Sequence, residues 1–139
     1  MTDCLLDRLG GKTTLKRVHK IFYDRLFEHD WLKKFFLGVD QTVIENQQSD
    51  FMSEAMGGPK CYSGKLPIPA HKHMFITDEL FTLRHNILRQ SILDCGISSD
   101  LCESWLKIDK AFRSGIVKPT IDDCQKRYKT DSLLVVPKP

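Results

Sequence analysis

The sequence predicts an all-α fold. Three observations carry this: apolar residues recur at three- and four-residue spacing, capping residues stand where those patterns begin, and glycine or proline stands where they end. The 139 residues suit one domain. We expect it to occupy residues 1–118, with 119–139 a C-terminal extension in which the helical pattern decays and Leu133-Leu134-Val135-Val136 reads as part of a tail.

After Leu9-Gly10-Gly11, Thr13 or Thr14 is expected to cap a helix in which Leu15, Val18, Ile21, Phe22 and Leu26 share a face. Trp31, Leu32, Phe35 and Phe36 form a short apolar knot that ends at Gly38. Asp40 stands at the N-cap of the next helix, whose expected inner face is Val43, Ile44, Gln47, Gln48, Phe51, Met52 and Ala55, and Gly57-Gly58-Pro59 stops it. The stretch from Pro59 to Pro69 is too rich in proline and glycine for regular helix and is expected to be a loop over the core. Thr77 begins a long helix with Asp78 and Glu79 in its first turn, where carboxylates suit the helix dipole. Its apolar face is Leu80, Phe81, Leu83, Ile87, Leu88, Ile92 and Leu93, and Gly96 ends it. Ser98 or Ser99 caps the last helix, with Leu101, Trp105, Leu106, Ile108 and Phe112 inward and Gly115 at its end.

Composition narrows the function. At 41% hydrophobic and 28% charged the chain has the balance of an ordinary globular domain. A domain this short encloses a large ligand only if that ligand forms part of the core. The net charge of +3, from 21 basic and 18 acidic residues in mixed order, lacks the concentrated basic face that nucleic acid requires. No run of about 18 apolar residues exists to span a membrane. Met1-Thr2-Asp3-Cys4 is acidic where a secretory leader would be basic, so a cytoplasmic protein is expected. The five cysteines are scattered, without a Cys-x-x-Cys or Cys-x-x-Cys-His motif, and are expected to be free thiols.

Among the five histidines, His71 stands out by its surroundings. It follows Pro67 and Pro69 and precedes Met74, Phe75 and Ile76, an apolar neighbourhood in which an imidazole needs a partner. Neutral imidazole is a good iron ligand, and a single axial histidine leaves the other iron face open to a gas. His73, two residues on, would face another side, which makes the pair a poor two-histidine metal site.

Phe22-Tyr23, Phe35-Phe36, Gln47-Gln48, Gly57-Gly58-Pro59, Tyr62-Ser63-Gly64, His71 and Ile76-Thr77, in that order and spacing over roughly residues 5 to 117, resemble the truncated haemoglobins, most nearly their first group. The resemblance implies a truncated globin fold, a two-over-two helical sandwich around a haem b. It implies that His71 is the proximal iron ligand and that Phe36 wedges the haem. Tyr23 and Gln48 match the distal donors that stabilise bound ligand. Ile44, Gln47, Phe51, Met52, Tyr62 and Ile76 match haem-pocket positions, with Phe51 and Met52 on an apolar ligand tunnel. Read without the resemblance, Tyr23 is a core tyrosine bonded to backbone and Gln48 a solvated helix position.

Two positions depart from the pattern. Arg84 stands where first-group members usually carry a small apolar residue, and a buried guanidinium needs a carboxylate: a haem propionate, unless the helix turns it outward. Gln47 stands where some relatives carry an iron-binding histidine, with His19, one turn before Tyr23, left as a further candidate for a sixth ligand. The expected function is reversible binding of dioxygen and other diatomics, nitric oxide and carbon monoxide included. The alternatives are a nitric oxide dioxygenase served by an external reductase, then a peroxidase-like activity, then a haem-free interaction domain in which Tyr23, Phe36 and His71 are plain core.

Overall fold

The computed structural model describes residues 4–139; the acidic Met1-Thr2-Asp3 segment lies outside them. It is helical, with α1 (Leu5–Leu9), α2 (Lys12–Glu28), α3 (Gln41–Ala55), α4 (Pro67–His71), α5 (Asp78–Asp94), α6 (Ser99–Ala111) and α7 (Arg113–Ile116). A 3₁₀ turn at Leu32–Phe36 forms the expected apolar knot, and another lies at Ile121–Asp123. α2 packs on α3 and α5 packs on α6, with α2 also against α5, which gives two helices over two.

The long helices start where side chains satisfy orphan amides. Asp40 accepts from the Val43 N–H at 3.1 Å, Thr77 from Leu80 at 3.2 Å and Ser98 from Leu101 at 3.4 Å. The core gathers the periodic apolar residues: Leu15, Val18, Phe22, Leu26, Leu88, Ile92 and Trp105 are all at most 2% exposed. Each such burial stabilises the fold by roughly 1.5–3 kcal/mol.

Several expectations change. The α2 cap is Gly11, not Thr13 or Thr14, because Gly10 and Gly11 at φ 100° and 85° turn the chain sharply out of α1 and leave both threonines already in the helix. α1 itself had no signal in the pattern, being barely more than one turn. The loop from Pro59 ends early, because Pro67 sits at the start of α4, where a helix has no use for its missing N–H. α6 stops at Ala111, so Gly115 lies inside α7 rather than at the end of α6. Val43, Ala55 and Leu93 are exposed, outside the buried arcs of α3 and α5.

The extension after residue 119 follows the body. Leu134 accepts from the Phe75 N–H and donates to the His73 carbonyl, both at 2.8 Å, in an isolated parallel bridge. Val136 accepts from Trp31 Nε1 at 3.1 Å and packs against the core, and Lys138 pairs with Glu79 at 2.7 Å. Just upstream, the buried Lys118 ammonium spends its three donors on carbonyls: His71 and Met74 at 2.8 Å and Ile116 at 2.9 Å. The segment from His71 to Ile76 is therefore held from two sides.

Candidate functional site

Between the two helical layers lies a cavity of about 310 Å³ with mainly apolar walls. Tyr23, Phe36, Ile44, Gln47, Gln48, Phe51, Met52, Tyr62, His71 and Ile76 all line it, so the residues singled out in the sequence meet at one place. α2 brings Tyr23 and the 3₁₀ turn brings Phe36. On α3, Ile44, Gln48, Phe51 and Met52 follow one another at helical spacing and so face the same way. The exposed side chains of Val39, Gln47 and Lys65 also line the cavity, which places its mouth at the surface.

His71 ends the short helix α4, and its Nδ1 lies 2.6 Å from the Pro67 carbonyl oxygen. A carbonyl can only accept, so Nδ1 carries the proton and Nε2 keeps its lone pair. Burial depresses the imidazole pKa to about 4, against the opposing pull of the Pro67 bond, and Arg84 adds to the depression. The ring is therefore neutral at physiological pH, the state in which imidazole binds a metal.

Tyr23 is buried, and its ring lies 5.0 Å from Phe22 and 6.1 Å from Phe36. Its hydroxyl has no protein partner among the described residues, and neither has the amide of the half-buried Gln48. Burial pushes the Tyr23 phenol well above its ordinary pKa, with Arg84 opposing, so it stays a donor at any working pH. Tyr62 contributes its ring, 5.3 Å from Phe51, while its hydroxyl donates to the Lys65 carbonyl.

Arg84 also lines the cavity, and its carboxylate partner is internal. Nη1 lies 2.9 Å from both oxygens of Asp109, whose Oδ2 also accepts from His85 Nδ1 at 2.8 Å. Burial alone would raise the Asp109 pKa; Arg84 and His85 outweigh it and hold the carboxyl below its usual range. Sequence reasoning missed Asp109, a charge on a helix that also carries Asp100, Glu103, Lys107 and Lys110. His19 stands apart from the cavity wall, with Nδ1 2.7 Å from Ser49 Oγ and its ring 5.6 Å from Trp105. His73 is also off the wall; it is buried, and its Nδ1 has no partner among the described residues. Those residues hold no cluster of three or more His, Cys, Asp or Glu side chains able to bind a metal.

These features suit a flat, largely apolar cofactor held by one metal bond: apolar walls, a mouth at the surface, a free imidazole lone pair and unused donors. The bacterial-like globin family matches residues 4–117. A group 1 truncated haemoglobin GlbN from Mycolicibacterium paratuberculosis is 30% identical over 96 residues, 69% of this chain and 71% of its own length. The GlbN of Synechocystis is 30% identical over 101 residues, 70% of this chain and 82% of its own. In three dimensions the chain resembles the Fe(III) form of truncated haemoglobin from Tetrahymena pyriformis, with a TM-score of 0.77 at 25% identity, over 83% of this chain and 98% of that one.

Proposed function

Because the chain belongs to the bacterial-like globin family, among the group 1 truncated haemoglobins, we propose that its cavity holds a non-covalent haem b through His71 and reversibly binds diatomic gases, dioxygen first. The observation that carries this is the His71 tautomer. Nδ1–H is tied to Pro67 O, so the ring is fixed in orientation and Nε2 is left as the metal-binding atom. No cysteine lines the cavity among the described residues, and the chain has no Cys-x-x-Cys-His, which supports the non-covalent form.

The haem supplies a ferrous iron to which a small gas adds reversibly. The chain supplies the rest. Tyr23 and Gln48 direct an O–H and an N–H at any ligand that accepts hydrogen bonds, and the apolar walls keep those bonds from competition with water. Phe36 and Ile76, both on the cavity wall, would pack against the bound cofactor.

A second reading uses the same wall. Met52 is buried, neighbours Phe51 on α3 and lines the cavity with it, and this reading takes the two side chains as the apolar route for a second gas. Such a path would let nitric oxide reach dioxygen in the pocket and form nitrate, with an external reductase supplying one electron per nitrate. Narrowing it by Met52→Trp should slow nitric oxide consumption under dioxygen far more than it changes equilibrium oxygen affinity; an unchanged rate removes Met52 from that path.

The primary reading is tested by an absorbance scan of the purified protein, with His71→Ala and His73→Ala beside it. A haem spectrum lost in His71→Ala and kept in His73→Ala supports it. The reverse pattern would assign the ligand to His73, and a colourless wild type that takes up no added haem would return the chain to a haem-free helical domain.

A further inference from the structure

Lys118 stands behind the cavity and fastens four residues of its wall. Its ammonium donates to the carbonyls of His71 and Met74 at 2.8 Å and of Ile116 at 2.9 Å. Its backbone N–H donates to the Ile76 carbonyl at 2.9 Å. His71, Met74, Ile76 and Ile116 all line the cavity, and Lys118 does not. The carbonyls of His71 and Ile116 end the short helices α4 and α7, where acceptors are left without intrahelical donors. One side chain therefore ties both helix ends to the strip of wall between them.

Three carbonyl acceptors need three donors. A neutral amine has two N–H groups and an ammonium three, so Lys118 is charged where it stands. The residue is buried, and no carboxylate lies within ion-pair distance of it among the described residues. Arg84 differs, because Asp109 opposes its charge at 2.9 Å. Packing alone would be served better by an apolar side chain of similar length. Taking an ion out of water costs free energy that carbonyl dipoles return only in part.

We propose that Lys118 is a positioning residue for the metal site, fixing the His71–Ile76 segment from behind and supplying an uncompensated positive charge that biases a bound haem iron toward its ferrous, gas-binding state. The inference rests on the haem reading above. Reduction adds one electron to the iron, drawn from an external donor, and lowers its charge by one. A fixed cation on the His71 side stabilises the less positive iron more than the other, and a neutral residue in its place does not. The donors act on the segment and the charge acts on the metal, so the two contributions are separable.

The test is reductive titration of the haem-replete protein with dithionite and redox mediators, read in the haem absorbance band. Wild type is compared with Lys118→Arg, which keeps the charge, Lys118→Gln, which keeps two donors without it, and Lys118→Met, which keeps neither. The Gln and Met variants should shift the equilibrium roughly tenfold toward ferric, a midpoint about 59 mV lower for one electron. Lys118→Arg should stay within about threefold of wild type. The rate of haem transfer to an acceptor protein should follow the donors instead, fastest from Lys118→Met and intermediate from Lys118→Gln. If Lys118→Met fails to fold, as helix content by circular dichroism would show, Lys118→Gln against Lys118→Arg decides the same question. A midpoint unchanged on loss of the charge, or lowered as far in Lys118→Arg as in Lys118→Gln, overturns the inference and leaves the haem reading standing. A wild type that takes up no haem overturns both.

Discussion

A buried hydroxyl without a protein partner costs stability unless a ligand accepts its hydrogen bond, and Tyr23 is in that position at the cavity wall. Tyr23→Phe should therefore leave the fold as stable or slightly more so, while dioxygen leaves about ten- to a hundred-fold faster, as loss of a 1.5–3 kcal/mol bond requires. Carbon monoxide, a weaker acceptor, should respond less; equal changes in the two dissociation rates would show that the ring acts by shape. His19 makes a different prediction. Burial depresses its pKa from 6.5 to about 3, so the unfolded chain takes up a proton below pH 6.5 while the folded chain does not. Stability from this residue is complete above pH 6.5 and is lost as pH falls toward 3, by about 2 kcal/mol between pH 6.5 and 5. Urea unfolding of wild type and His19→Gln at pH 7 and 5 checks it: the variant should lose less on acidification, and parallel losses would refute the assignment. His71 stood out in the sequence because it lies beside an apolar run, whereas Tyr23 and Gln48 were marked only by the resemblance, since each read alone has an ordinary helix role. Asp109 was not legible, because one more charge on a charged helix says nothing of its direction.

At the scale of elements, side-chain caps could be read and backbone geometry could not. Asp40, Thr77 and Ser98 are recognisable because a short oxygen-bearing side chain precedes a periodic run. The start of α2 depends on glycine torsions, and the start of α4 on whether Pro67 opens a helix or breaks one. The corner after α3 carries a sharper prediction. A Cβ at Gly58 would stand 2.8 Å from the Ser53 carbonyl oxygen and 2.6 Å from Leu6 Cδ2, and the carbonyl cannot move without opening the last turn of α3. Gly58→Ala should lower stability by about 1–3 kcal/mol, read as a lower urea midpoint. Gly115→Ala meets only Ile68, an exposed and movable side chain, and should cost less; the opposite order would mean that α7 and α4 are the tighter junction.

For the whole molecule, the C-terminal segment binds the body together. A chain ending at Pro119 keeps all seven helices and Lys118 but loses the Leu134 bridge, the Val136 acceptor for Trp31 and the Lys138–Glu79 pair. It should still fold as a helical protein, because the core is complete without those residues, but unfold about 3–4 °C lower for each kcal/mol lost. It should also release haem faster, since residues 73–75 would be held from one side only. Equal melting temperatures and equal rates of haem transfer to an acceptor protein would show that the extension is an idle appendage. Periodicity could not reveal this docking, because the Leu134 bridge and the Val136 acceptor are backbone groups that any sequence possesses, and the side-chain contacts of Val136 and Lys138 are single ones without a repeat. The Leu134 bridge also has a consequence in time. Roughly 60 residues separate the His73–Phe75 segment from the Leu134 that pins it, and at about 5–20 residues per second a ribosome needs roughly 3–12 s to make them. During that interval the helices can assemble while the histidine segment is still loosely held, so nascent chains should acquire pigment late, after Leu134 has emerged.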